Sequence, residues 1–84
     1  PEFVLIDFGC EVEGYHSDIT RTFVVGGEPT ERMAALYDAV FRAQRAAVET
    51  VAPGVAGRLV DGAAPALLAA AGLPPMPHNT GHGL

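Results

Sequence analysis

Near the start of the chain, hydrophobic and polar positions form two segments that are typical of paired β-strands. Residues 5–10 are apolar except for Asp7, and residues 15–25 alternate β-branched or aromatic residues with polar ones. A Glu13-Gly14 turn signal lies between the two segments. The pattern therefore predicts an antiparallel β-hairpin.

The loop of this hairpin decides which side chains share a face. A two-residue loop at Glu13-Gly14 places Asp7 opposite Thr20, with Asp18 one step along the same face. A loop at Val12-Glu13 would instead place Asp7 directly opposite Asp18. A three-residue loop would put the two aspartates on opposite faces, because a slip of one residue inverts the pleat. Both two-residue registers predict two carboxylates on one face.

A helical period follows the hairpin. Thr30 is the predicted N-cap of the first helix, and Glu31 in the first turn suits the helix dipole. An apolar stripe at 3.6-residue spacing then predicts a helix that ends at Pro53-Gly54, with Tyr37 and Phe41 in the core. Its members are Met33, Leu36, Tyr37, Val40, Phe41, Ala47, Val48 and Val51.

A second, alanine-rich helix is predicted from about residue 56 or 57 to Ala71, stopping at Gly72. Gly62 and Pro65 are unfavourable inside a helix, which predicts a kink or a late start near Asp61. The remaining residues would begin another strand or a loop. Together these elements predict an α+β fold.

The candidate chemistry lies in the hairpin and at the end of the printed sequence. Asp7 interrupts an apolar run, and two neighbouring carboxylates repel each other unless a cation lies between them. His82 stands between Gly81 and Gly83. Oxygen ligands suit Mn, Mg or Ca, and an added imidazole moves the expectation toward Mn, Co, Fe or Zn. The alternative is that Asp7 and Asp18 are solvent-facing acids that flank a turn.

Composition narrows the function classes. The formal net charge is −5, and the five basic residues, all arginine, form no cluster, which excludes nucleic acid as an expected partner. The single cysteine, Cys10, excludes an internal disulfide and is predicted to be a small buried hydrophobe rather than a nucleophile. The printed residues contain no charged region followed by an apolar core and no apolar run of membrane-spanning length, so a soluble cytoplasmic protein with no membrane partner is predicted.

Two motifs resemble a known family. LIDFG at residues 5–9 followed by GYHSDITRTFVVG at residues 14–26 resembles the first metal-ligand hairpin of the pita-bread metallopeptidases. These comprise methionine aminopeptidase, aminopeptidase P and prolidase. PHNTGHGL at residues 77–84 resembles the family's next motif, in which a histidine between glycines binds metal. The resemblance covers the whole chain.

The proline-directed branch is the closer resemblance. The run ITRTF at residues 19–23 is similar to prolidase and aminopeptidase P, and so is His78, four residues before His82. Asn79 stands where an arginine is common in that branch. The resemblance thus implies cleavage of Xaa-Pro bonds and leaves the substrate detail open.

The family's site implies two divalent metal ions, with Mn first and Co, Zn or Fe as alternatives. Of five expected ligands, Asp7, Asp18 and His82 match the first three, while the two later glutamates have no counterpart. All ten acidic residues lie at or before Asp61. Residues 1–84 are therefore expected to be a partial catalytic domain, truncated at both ends and inactive alone.

The resemblance also implies roles for the residues. Asp18 would bridge the metals, Asp7 would hold one and His82 the other, and His78 would act as a catalytic group near the peptide substrate. The full-length protein would be a metallopeptidase and a homodimer. Alternatives are a methionine aminopeptidase, a creatinase-like enzyme that breaks a C–N bond without metal, and a relative that only binds partners. Retention of Asp7, Asp18 and His82 speaks against the last two.

Overall fold

The computed structural model describes all 84 residues. Four strands come first: β1 (Glu2–Phe8), β2 (Glu11–Val12), β3 (Tyr15–His16) and β4 (Ile19–Val25). Two helices follow, α1 (Glu31–Thr50) and α2 (Gly57–Ala70). The predicted α+β class is confirmed, and the residues after α2 form a loop. Neither helix combines the length and the mean hydropathy that a membrane-spanning segment needs.

The four strands form one hairpin whose ladder is interrupted once. β1 pairs antiparallel with β4, and Asp7 lies opposite Thr20, as the Glu13-Gly14 loop predicts. Nearer the turn, β2 pairs with β3 in the same register, with Val12 opposite Tyr15. One face of the long ladder carries Asp7 and Thr20, because opposed residues of an antiparallel pair share a face.

The turn has the backbone geometry that suits the twist of a hairpin. Glu13 has φ 51° and Gly14 has φ 82°, so both central residues lie in the left-handed region, as in a type I′ turn. Gly14 accepts this conformation freely, whereas Glu13 carries a Cβ that crowds the carbonyl. The turn therefore sets the register at some cost in stability.

Glu13→Asn is expected to raise the free energy of unfolding by about 1 kcal/mol, since asparagine tolerates the left-handed region and Asn-Gly is a preferred type I′ pair. Chemical denaturation would measure the change. Glu28→Asn is the matched control, because Glu28 is exposed and has no positive φ. An equal gain in both variants would show that the turn conformation is not the cause.

Both helices have the ends that their residues predict. The Thr30 hydroxyl accepts a hydrogen bond from the Met33 backbone N–H at 3.1 Å, which confirms the N-cap of α1. At the end of α2, Leu73 N–H donates to Leu68 C=O, and Gly72 has φ 75°. This pattern is a Schellman ending.

α2 begins at Gly57, within the predicted range, and runs through Pro65 without a break, so of the two alternatives expected near Asp61, a kink or a late start, the late start is wrong. A proline in a helix interior costs about 3 kcal/mol, because it lacks the N–H that would bond to the carbonyl four residues earlier. That carbonyl belongs to Asp61. Tertiary packing of α2 against α1 outweighs the local penalty.

The core lies between the two helices and consists of the buried residues Ala43, Ala47, Ala64 and Leu68. The prediction that Tyr37 and Phe41 are core residues is wrong for this chain, since they are 50% and 55% exposed. Their side chains line an open groove of about 520 Å³ between α1 and the hairpin, together with Phe3 and Val24. Cys10 is also exposed, because no element covers the hairpin at that point.

The hairpin stands away from the helices. The radius of gyration is 14.9 Å, whereas a compact domain of this length has about 12 Å. Only 4 of 84 residues are buried, and apolar side chains are exposed on both faces of the ladder. Those on the face opposite Asp7 are Val4, Ile6, Phe8, Ile19, Phe23 and Val25. The candidate site residues therefore lie on an open surface.

Candidate metal centre

Asp7 is held by its partner across the hairpin. It lies next to the last residue of β1, and the Thr20 hydroxyl donates a hydrogen bond to its Oδ1 at 3.0 Å. This bond uses only one carboxylate oxygen. The other oxygen retains its full capacity to accept a hydrogen bond or bind a cation.

Asp18 lies where the ladder is interrupted, just before β4. The register is the same on either side of the interruption, and by residue count it puts Asp18 opposite Gly9. Asp18 is two residues from Thr20, so it falls on the same face of the hairpin as Asp7. The strands approach very closely here: a Cβ on Gly9 would lie 2.0 Å from the Ser17 carbonyl oxygen. Only glycine fits at that position. Gly9 therefore shapes the backbone that carries Asp18.

His82 reaches Asp18 from the loop that follows α2. Its Nε2 lies 3.2 Å from Asp18 Oδ2. Its Nδ1 lies 2.8 Å from the Gly83 carbonyl oxygen, which can only accept a hydrogen bond, so Nδ1 carries a proton. Histidines that bind metal commonly donate one N–H to a backbone carbonyl in this way, which orients the other nitrogen toward the ion.

The donor set fits a divalent metal ion. An imidazole nitrogen and carboxylate oxygens are the ligands expected for Mn, Fe, Co or Zn. Two donors at about 2.1 Å from one ion, at right angles, lie about 3 Å apart. The 3.2 Å between His82 Nε2 and Asp18 Oδ2 matches that spacing. Both side chains are open to solvent, 71% and 40% exposed, so an ion could reach them.

Of the three predicted ligands, two are in contact. Asp18 and His82 lie together, while Asp7 bonds to Thr20. No group of three or more His, Cys, Asp or Glu side chains is gathered closely enough to hold an ion. The assignment of Asp7, Asp18 and His82 as one ligand set thus stays a prediction.

His78 lies in the same loop as His82. Its Nδ1 lies 2.7 Å from the Asn79 carbonyl oxygen, so its Nε2 is free for another partner. The ring borders an apolar pocket of about 290 Å³ whose walls include Leu68, Leu73 and Met76. A free imidazole nitrogen beside an apolar pocket can donate or accept a proton next to a bound ligand.

Two residues of this region were not identified from the sequence. The Asp61 carboxylate accepts a hydrogen bond from the Thr80 backbone N–H at 2.8 Å, and the Thr80 hydroxyl donates to the Asp61 backbone carbonyl at 2.6 Å. A proline four residues after Asp61 was the available signal, because it leaves the carbonyl without its helical partner. The partner itself, 19 residues away, was visible only in the fold.

Comparisons with known proteins agree with these motifs. The chain is 47% identical over 85 residues to "Probable dipeptidase PepE" of Mycobacterium tuberculosis (strain H37Rv), covering 99% of the chain and 22% of that protein. It is 39% identical over 84 residues to an Xaa-Pro dipeptidase of Pyrococcus horikoshii, covering 99% of the chain and 24% of that protein. The chain thus spans roughly a quarter of the length of these relatives.

The fold is also found in a solved structure. A crystal structure of recombinant prolidase from Thermococcus sibiricus matches with a TM-score of 0.79 and 40% identity, covering 83% of this chain and 19% of that one. The α+β arrangement is therefore that of part of a prolidase. The family sequence model of metallopeptidase family M24 matches residues 1–84. On this evidence from sequence and fold together, the chain belongs to metallopeptidase family M24.

Proposed function

We propose that the complete protein containing this chain is a metal-dependent peptidase that cleaves Xaa-Pro bonds. The contact between His82 Nε2 and Asp18 Oδ2, at 3.2 Å, carries the proposal. It joins the two motifs of the family, which lie at opposite ends of the sequence, through the two atoms that a metal would use. The similarity to an Xaa-Pro dipeptidase and to a prolidase structure supports the substrate class.

In the proposed site, Asp18, Asp7 and His82 bind two divalent ions, with manganese as the expected metal. When bound, such ions activate a water molecule and polarise the scissile carbonyl. The hydrogen bond from Thr20 orients the Asp7 carboxylate, and the Gly83 carbonyl keeps the His82 proton on Nδ1. Both contacts reduce the reorganisation that ligand binding would need.

His78 is proposed to act on the substrate rather than on the metal. An Xaa-Pro amide has no N–H, so its cleavage depends on donors near the carbonyl and the leaving nitrogen. Because Nδ1 donates to the Asn79 carbonyl, His78 can supply such a donor through Nε2 in its imidazolium form. Its position on the rim of an apolar pocket supports a role beside a bound peptide.

We also propose that residues 1–84 are part of a longer catalytic domain. The chain covers only 22–24% of the curated relatives, and it lacks the two glutamates that would complete a five-ligand site. The exposed apolar side chains on both faces of the hairpin support this, because a stable domain buries most of them. Homodimerisation and a cytoplasmic location belong to the same proposal.

The complete protein is expected to hydrolyse an Xaa-Pro dipeptide in the presence of Mn²⁺, to lose activity with a chelator, and to regain it when Mn²⁺ is restored. The 84-residue chain alone is expected to show no turnover, because an incomplete ligand set cannot hold both ions. The release of free proline measures the activity of the complete protein and of the 84-residue chain. Chelator-sensitive turnover by the isolated chain would contradict the partial-domain proposal, and a preference of the complete protein for Met-Ala peptides would contradict the substrate class.

A further inference from the structure

On the proposed function, His82 is a metal ligand, and the loop that carries it must be held in place for that role. His82 and Asp18 are open to solvent, and an exposed pair of this kind adds little stability. Their contact therefore does not by itself fix the loop. Other bonds must fix the loop that carries His82.

The bonds that do so lie two residues before His82. The Thr80 N–H donates to Asp61 Oδ1 at 2.8 Å, and the Thr80 hydroxyl donates to the Asp61 carbonyl at 2.6 Å. Two residues of chain span at most about 7 Å, so an anchor at Thr80 limits where His82 can go. Thr80 is also two residues after His78. One anchor thus restrains both histidines.

Pro65 explains why the Asp61 carbonyl can serve as an anchor inside a helix. In a regular helix that carbonyl would accept the N–H of residue 65, but proline has none. The carbonyl is left without a helical partner, and the Thr80 hydroxyl fills the place. The two acceptors of Asp61, its carboxylate and its carbonyl, together match the two donors of Thr80.

We propose that Asp61 and Pro65 form a docking point for Thr80 that positions His82 for metal binding, with Asp61 and Thr80 as positioning residues. Packing of Leu73 and Met76 against the helix core holds the start of the same loop. The docking point holds its end. The loop is therefore fixed on α2 before any ion binds, so less conformational entropy is lost when His82 becomes a ligand.

The test measures Mn²⁺ binding to the complete protein by titration calorimetry, beside its thermal unfolding. Asp61→Ala and Thr80→Val are expected to raise the Kd for Mn²⁺ by about 10-fold or more, the range found for residues that support metal ligands. Asp61→Asn and Thr80→Ser keep the acceptors and donors and should bind nearly as the parent does. Saturating Mn²⁺ should restore full metal content in Asp61→Ala, because all metal ligands remain.

Asp38→Ala is the matched control, an exposed aspartate on α1 that pairs with Arg42. It should leave the Kd unchanged. If Asp61→Ala does not fold, the Kd values of Thr80→Val and Thr80→Ser test the inference, since Thr80 lies outside every helix and strand. Parent-like Kd values for folded Asp61→Ala and Thr80→Val would overturn the inference. Failure of the unsubstituted protein to bind Mn²⁺ would instead overturn the proposed function.

Pro65→Ala separates positioning from stability. The new N–H can bond to the Asp61 carbonyl and compete with the Thr80 hydroxyl, while the helix itself becomes more favourable. The melting temperature is therefore expected to rise while Mn²⁺ binding weakens. A purely structural anchor would move both quantities in the same direction. A raised melting temperature with a parent-like Kd would overturn the role given to Pro65.

Discussion

Replacing His82 by alanine in the complete protein is expected to remove bound metal and activity together. His82 supplies the one imidazole nitrogen of the proposed site, and its Nε2 faces Asp18 Oδ2 at 3.2 Å. Loss of a residue that merely supports a ligand costs about 10–100-fold in metal affinity, so loss of the ligand itself should cost more. Elemental analysis and proline release would measure the two effects.

His78→Ala is the matched comparison, because it removes another imidazole from the same loop. Its expected effect is a fall in turnover of about 10²–10³-fold on Xaa-Pro substrates, the range for loss of one donor to a developing oxyanion. Metal content should stay close to that of the parent. Unchanged Xaa-Pro hydrolysis by His78→Ala would contradict the catalytic role, and full metal content in His82→Ala would contradict the ligand assignment.

Gly9→Ala is expected to produce the second large effect, on the backbone beside Asp18. The added methyl group would lie 2.0 Å from the Ser17 carbonyl oxygen and 3.5 Å from the Asp18 Cα, so the strands must separate. Overpacking of this kind costs about 1–3 kcal/mol. Because the displaced backbone carries Asp18, the affinity for Mn²⁺ should fall as well. Chemical denaturation and metal titration would measure the two changes.

Gly62→Ala adds the same methyl group where it meets no atom within 4 Å, inside α2. It is expected to raise the free energy of unfolding by about 0.5–1 kcal/mol, since glycine is less favourable than alanine within a helix. Gly9→Ala should lower the free energy of unfolding and Gly62→Ala should raise it, so the two variants separate the effect of steric crowding from that of helix propensity. A stable Gly9→Ala variant with parent-like metal affinity would show that close approach at Gly9 does not shape the site.

Much of the fold could be predicted because the signals are local. The Thr30 cap and the Schellman ending at Gly72 each depend on residues within one or two turns of the chain. The hairpin register follows from its turn, where Gly14 allows the left-handed backbone. Of the registers considered, the one with Asp7 opposite Thr20 was confirmed.

Burial was predicted less well, because it depends on what packs against each face. The apolar stripe of α1 predicted a core that included Tyr37, Phe41 and Ala47. α2 packs on Ala47 and on Ala43, which lay outside the stripe, and leaves the two aromatic residues exposed. Small residues let two helices approach closely, whereas the aromatic side chains face an open groove beside the hairpin. Cys10 is exposed for the related reason that no element covers its part of the hairpin.

By itself, the sequence determined which residues could carry the chemistry: Asp7, Asp18, His78 and His82 stand in motifs that can be read residue by residue. Only the tertiary structure decided that His82 reaches Asp18 and that Asp61 anchors Thr80. Contacts between distant residues depend on how helices and hairpin pack, and packing leaves no short-range pattern in a sequence. Pro65 illustrates the difference, since the sequence identified its cost to the helix and the fold revealed the hydrogen bond that uses the freed carbonyl.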